Sequence, residues 1–418
     1  MARPAHRAAR LPRRCFCAAL LGLALLAGAP RGAAAADIAP DTQFTPLVSS
    51  VPGRLSPALA SDGRIHVAYE LVLTNIAPVP IEVRRVAVRA SGSKRRLALL
   101  AGSRLLAAVD PLAGAGGEEP TDGATTIAPS GSAIVWLDVT APRGARLPRA
   151  FEHDVLATAG EAGTAGALRF AGAIGTYSLA RRRPPVLAPP VEPGTWLAGE
   201  GCCAAPTHHR RGLVGVDGRL QVPNRFAIDW FRLDSHHRAW AGDPARLRSY
   251  FSFGQPLLAA AAGTVVSAVD GIPDNRPQGT LSPLPPIGET FGNHVVLRAR
   301  PGVFLVYGHM RDGSVRVRAG QRVRLGQVLG ELGNSGNSST PHLHFQVMTR
   351  ATTFPAETVP FAFAGFRLLG RVTERVFDEE LALRPNGDLP VRRSRDPGAV
   401  RHRQLPLDRA VVRFAGRR

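Results

Sequence analysis

The stretch Ala319 to Met348, AGQRVRLGQVLGELGNSGNSSTPHLHFQVM, constrains this chain more than any other because it holds His342-Leu343-His344. Leu343, Phe345 and Val347 read as strand. On a strand, residues at i and i+2 share a face, about 7 Å apart along the chain. The preceding run, Asn334-Ser335-Gly336-Asn337-Ser338-Ser339, is made of turn residues and can deliver the strand into a site. Two imidazoles converging at a strand start suit a metal or acid–base site. A plain pair of strand histidines is the alternative, and only the surrounding sequence argues against it.

The chain has 418 residues, enough for two or three domains, and a net charge of +20 carried almost entirely by arginine. Such a charge attracts polyanions: nucleic acid, anionic lipid or an anionic cell wall. Composition does not choose among them, but no nucleic-acid-binding motif appears. Residues 1–36 have the layout of a secretory signal peptide. Arg7, Arg10, Arg13 and Arg14 precede an apolar run through Ala27, and Ala34-Ala35-Ala36 offers a cleavage site before Asp37. The apolar run is too short for an ordinary membrane span, no cysteine follows it to carry a lipid, and no later segment looks membrane-spanning. A secreted, periplasmic or envelope-associated protein is expected, with no stable membrane span after cleavage and no nucleic-acid partner. Cleavage leaves Cys202 and Cys203, whose adjacency permits a strained vicinal bridge, pairing with another chain, or metal binding. No disulfide framework is expected.

Residues 37–180 alternate like antiparallel strands, as in Ile65 to Asn75, Ile81 to Val88 and Ser132 to Val139, with turn clusters between them. This suggests an immunoglobulin-like β-sandwich. His153 and Asp154 point to opposite faces of a strand, and His153 reads as a surface histidine. Residues 181–194, rich in arginine and proline, read as a semi-rigid linker. Residues 366–418 read as a C-terminal extension with weak strand signals and a poorly ordered end.

Between them, residues 195–365 carry a series of motifs. Phe253 to Val266 contains the hairpin pattern Gly254-Gln255-Pro256-Leu257-Leu258-Ala259, and is followed by Phe291-Gly292-Asn293-His294-Val295-Val296-Leu297. Then come Leu305-Val306-Tyr307-Gly308-His309-Met310 and the opening stretch itself. Their order and spacing resemble lysostaphin/LytM-type zinc metalloendopeptidases, bacterial enzymes that cut peptide bonds in peptidoglycan. The resemblance covers about Gly201 to Thr349. It implies a LytM-like antiparallel β-sheet peptidase domain that binds Zn2+, so that with the N-terminal immunoglobulin-like sandwich before it the chain is expected to be mostly β. It further implies a substrate of peptidoglycan peptides in an anionic cell wall.

Carried over residue by residue, the resemblance makes Asp229 and His344 metal ligands and His309 and His342 the catalytic pair. The family's first ligand is a histidine four residues before the aspartate, and here that position is Arg225. Arginine has only donors and stays protonated, so it cannot coordinate a cation. Either another residue supplies the ligand, or the domain has lost its metal and only binds cell wall or activates another hydrolase. His208, His236, His237, His294, Cys202 and Cys203 are replacement candidates, and His209, at the entry to the core, is the first choice. Arg225 and Asn293 are assigned to substrate binding, Arg225 by clamping a stem-peptide carboxylate. Gly271 to Glu289 reads as an insertion over the groove.

Overall fold

The computed structural model describes residues 42–113, 125–160, 167–203, 207–277, 285–373, 381 and 384–416. The signal-peptide expectation for residues 1–36 lies outside them. Residues 45–418 form one compact unit. Among the described residues, no helix is long and apolar enough to cross a membrane.

The N-terminal region is two facing antiparallel sheets. In one, the strand Arg64–Asn75 pairs with Ser132–Pro142 from Arg64 opposite Pro142 to Thr74 opposite Ser132. In the other, Ile81–Ala90 pairs with Ala150–Ala159, which pairs in turn with Leu168–Ser178. Val67, Tyr69, Leu71 and Leu73 meet Val86, Val88, Phe151 and Val155 in one core, as the two-residue period of a strand requires. His153 lies in this interior, its Nε2 2.7 Å from the Tyr69 hydroxyl, and burial pushes its pKa down to about 4. The surface reading of His153 is therefore corrected. An imidazole satisfied by a phenol and the Gly175 carbonyl can be packed away neutral.

The strand Arg64–Asn75 is buried on both faces. Its even positions turn away from the sandwich core toward the rest of the molecule. Ala68 joins the main core of the C-terminal half, and Val72 packs with Trp136, Leu213 and Leu220. Between them Glu70 is fully buried.

The C-terminal half is built on an eleven-stranded antiparallel sheet. Its centre runs Asn293–Arg300, Val303–Met310, Leu343–Met348, Ile228–Leu233, Gly194–Gly199, Ala410–Phe414 and Phe366–Val372. Two segments expected outside the domain belong to it. Residues 181–194 are not free: Val186–Leu187 pairs in parallel with Ala362–Phe363, and Val191 is in the core. Residues 366–418 supply the strands Phe366–Val372 and Ala410–Phe414, the latter pairing with Gly194–Gly199. Val411 faces one hydrophobic cluster and Val412 the other, so this short strand is buried on both sides. Short arginine-flanked strands carry a weak local signal, and here it is neighbouring strands that fix them.

Candidate metal centre

Three neighbouring strands bring the central side chains together. Asp229 lies opposite His344, and His344 lies opposite Gly308, which puts His309 at the end of the third strand. Gly308 permits the close approach: a Cβ there would come 3.3 Å from that of His344. His342 and His344 share a face while Leu343 points into the hydrophobic core. His309 has φ 58°, a left-handed conformation that side-chain-bearing residues rarely adopt and that recurs at functional sites.

The fourth histidine arrives from elsewhere in the chain. His209 sits in a four-residue helix, His208–Arg211, whose N-cap Thr207 accepts from the Arg210 amide. Its Nε2 lies 3.2 Å from Asp229 Oδ2, and His344 Nδ1 lies 3.0 Å from Asp229 Oδ1. The His209 and His344 rings meet edge to face with centroids 4.9 Å apart, and the His309 and His342 rings are 4.7 Å apart. His342 Nε2 is 3.5 Å from Asp229 Oδ1. All five residues are at most 5% exposed.

The hydrogen bonds around this cluster fix each imidazole in one tautomer. His209 Nδ1 is 2.9 Å from the Glu200 carbonyl, His309 Nδ1 2.8 Å from that of Ser335, and His342 Nδ1 2.8 Å from that of Thr340. His344 Nε2 is 3.0 Å from Gln346 Oε1. Each of those acceptors requires the facing nitrogen to carry the hydrogen. The opposite nitrogen, Nε2 of His209, His309 and His342 and Nδ1 of His344, is left with a lone pair. Asp229 Oδ1 has no hydrogen-bond partner, although His344 Nδ1 lies 3.0 Å from it. A buried cluster of lone pairs around an unsatisfied carboxylate oxygen fits a cation.

Electrostatics agree. Burial alone would raise the Asp229 pKa, but His209 and His342 outweigh it and hold the carboxylate well below its usual range. Burial lowers the pKa of His209, and it lowers that of His309 far more with help from His342 and His344. The shifts of Asp229 and His209 run in the direction a metal needs, toward an ionised carboxylate and a neutral imidazole. His209, Asp229 and His344 each offer one ligand atom, all within 4.8 Å of one another. Three protein ligands are the complement of a hydrolytic site that keeps a position open.

Among the described residues, the other such group is His66, Asp138 and Cys203. Cys203 is bonded to Cys202, so its sulfur is not a free thiolate. The remaining replacement candidates are not brought to the centre. His236 is exposed, His237 half-buried, and His294 hydrogen-bonds to the Gly292 carbonyl.

Two expected substrate contacts are committed to other partners. The Arg225 guanidinium is buried, donating to Glu70 Oε2 at 2.7 Å and to the Pro52 carbonyl at 2.7 Å. Asn293 is fully buried. Its Nδ2 donates to the carbonyls of Ile272 and Met310, and its Oδ1 accepts the Ile272 amide. Arg225 therefore links to the N-terminal sandwich, and Asn293 pins the start of the Gly271 to Glu289 insertion. Asn275 Nδ2 ties that insertion on to the Gly336 carbonyl at 2.7 Å, beside the loop that supports His309. Residues 278–284 lie outside the described residues.

Sequence reasoning missed Glu70, Arg210, Glu200 and Gln346. Glu70 carried a signal: a carboxylate inside the apolar run Val67 to Leu73 has to find a partner.

The profile of Peptidase family M23 matches residues 250–355. That span holds His309, His342 and His344 and begins after His209, Arg225 and Asp229. A lipoprotein NlpD/LppB homolog of Pseudomonas aeruginosa is 33% identical over 94 residues, 22% of this chain and 25% of that protein. The glycyl-glycine endopeptidase ALE-1 of Staphylococcus capitis is 36% identical over 72 residues, 17% of this chain and 20% of that protein. The chain spans a quarter or less of these relatives' own length. The catalytic domain of the antimicrobial peptidase lysostaphin from Staphylococcus simulans is 20% identical, covering 40% of this chain and 88% of that one at a TM-score of 0.22. So loose an overall likeness carries no residue across.

Proposed function

From a chain whose residues 250–355 form a peptidase M23 domain, we propose a secreted zinc metalloendopeptidase that hydrolyses peptide bonds in bacterial peptidoglycan. The observation that carries this reading is the convergence of His209 Nε2, Asp229 and His344 Nδ1, with the other nitrogen of each imidazole tied to an acceptor. His209 is the ligand that replaces the missing family histidine at Arg225. His209, Asp229 and His344 would hold Zn2+, which would polarise the scissile carbonyl and lower the pKa of a water. The Glu200 carbonyl and Gln346 keep the two ligand imidazoles in the metal-binding tautomer.

His342 and His309 do the proton work. Each holds its hydrogen on Nδ1 against a backbone carbonyl, so each Nε2 is free to accept. One takes a proton from the attacking water as the new C–O bond forms. That proton is returned to the departing amine as the C–N bond breaks, so one water is consumed and the proton balance closes. The burial of the cluster keeps bulk water from competing for these lone pairs. The +20 charge supports attraction to an anionic wall, and the pattern of residues 1–36 supports export.

The test is metal analysis of the purified protein together with release of peptides from isolated cell walls. The expected result is one zinc per chain, lost in His344→Ala, and peptide release abolished by the same change. Protein with no zinc and no peptide release would overturn the enzyme and leave the cell-wall-binding reading.

A further inference from the structure

The short helix that carries His209 is too short to hold itself: four residues close barely one turn, and such a turn is unstable without outside support. Its support comes from the N-terminal sandwich. Arg210, next to the ligand, is fully buried and donates from Nε to Glu70 Oε1 at 3.0 Å. Its two Nη atoms donate to the carbonyls of Cys203, Tyr69 and Leu137 at 2.9, 3.0 and 3.3 Å. Arg211 donates to Asp110 Oδ2 at 2.8 Å, and Trp136 Nε1 donates to the same oxygen at 2.7 Å. Both guanidinium carbons lie over the Trp136 ring, 5.5 and 5.8 Å from its centroid. Glu70, Tyr69, Asp110, Trp136 and Leu137 all belong to the sandwich.

The same carboxylate also reaches the second ligand-bearing segment. Glu70 Oε2 accepts from Arg225, four residues before Asp229 on the approach to its strand. One buried glutamate of the sandwich therefore holds, through two arginines, the segments that carry two of the three metal ligands. Charge-assisted hydrogen bonds between buried groups are directional and strong enough to set side-chain positions.

We propose that the N-terminal sandwich is part of the metal centre by positioning, with Glu70 holding His209 in place through Arg210 and the Asp229 segment through Arg225. The missing histidine and the added domain are then one feature: Arg225 anchors the backbone, and the helix docked on the sandwich supplies the ligand. This rests on the assignment of His209, Asp229 and His344 as the metal ligands.

The experiment is zinc affinity by chelator competition, and the visible spectrum after Co2+ loading, on full-length wild type, Glu70→Gln and Arg210→Lys. An Arg89→Gln variant serves as control, since Arg89 pairs with Glu152 and Asp154 within the sandwich, away from the helix. Glu70→Gln keeps the shape and removes the charge, and should weaken zinc binding roughly 10–100-fold, the range seen for residues that orient ligands. Its cobalt spectrum should shift, while Arg89→Gln leaves affinity and spectrum unchanged. Should Glu70→Gln fail to fold, Arg210→Lys decides: it keeps the charge but loses the fork to the Tyr69 and Leu137 carbonyls, and should still weaken zinc several-fold. Folded variants with wild-type affinity and spectrum overturn the positioning role and leave the peptidase reading standing. A wild type that binds no metal overturns both.

Discussion

The candidate metal centre draws on two kinds of scaffold. Asp229, His309 and His344 stand on three adjacent strands, with His342 one residue before the last of them, and ladder hydrogen bonds make the geometry a property of the sheet. His209 stands on a single helical turn, and that turn is clamped by side chains of the N-terminal sandwich. The first arrangement is local and forgiving, because a strand keeps its register when one contact is lost. The second depends on buried ion pairs 140 residues away in sequence. If both scaffolds serve one metal, mutations in the two should converge on metal binding but diverge in how they affect the fold.

The largest effects test that convergence. His344→Ala and His209→Ala should each remove stoichiometric zinc and take peptide release to background, because two ligands do not make a hydrolytic zinc site. Metal analysis beside the activity assay checks this. A His209→Ala protein that keeps its zinc would break the comparison and return the third ligand to an unidentified residue.

Next come the two histidines assigned to proton transfer. His342→Ala and His309→Ala should lower kcat by about 10²–10⁴-fold, the span of general acid–base contributions, while keeping zinc at wild-type stoichiometry. The split between activity and metal content separates proton carriers from ligands. Loss of zinc in both variants would show that these residues belong with Asp229 and His344 instead.

Smaller again is the effect on stability. Glu70→Ala leaves Arg210 and Arg225 buried without their counter-charge, and should cost about 3–5 kcal/mol in urea unfolding. Arg89→Ala removes a partly exposed pair on the sandwich and should cost about 0–1 kcal/mol. Equal losses in the two would mean that the interface triad is only an ordinary ion pair.

The difference between the scaffolds also explains what could be read from the chain. The i, i+2 spacing on a strand nominates His342 and His344, and the family resemblance of the surrounding motifs decides for them and adds His309. His209 could be nominated only for its proximity to Asp229, since nothing local ties a single helical turn to a metal. Glu70 and Arg210 were unreadable as a pair: their meeting depends on how two domains dock. Arg225 looked like a substrate clamp because its role lies in a partner from the other domain. The same cause hid the strand Ala410–Phe414, which is short, preceded by Arg409, interrupted by Arg413, and held by the sheet it joins.

The smallest effect concerns pH, and it uses a second contact of the same interface. His66 lies on the interface face of the Arg64–Asn75 strand, within 4.8 Å of the Cys203 sulfur. Burial would lower its pKa, but hydrogen bonds to Asp138 and Asp62 outweigh burial and raise it from 6.5 to about 9. A raised pKa in the folded state means that protonated His66 stabilises the fold fully below 6.5, and that this contribution is lost as pH rises through about 9. Glu70 has the opposite sign. Burial would raise its pKa, but Arg225 and Arg210 outweigh it and hold it below 4.5, so its contribution is present above 4.5 and lost as the pH falls further. The fold should therefore be most stable between the two limits. On the alkaline side the loss should be on the order of 1 kcal/mol after allowing for solvent screening of a partly accessible imidazole. Thermal unfolding of wild type and His66→Gln across pH 6 to 10 measures it. The two proteins should differ most at pH 6 and converge near pH 10, and a difference that stays constant over that range would show that His66 does not stabilise the fold through its charge.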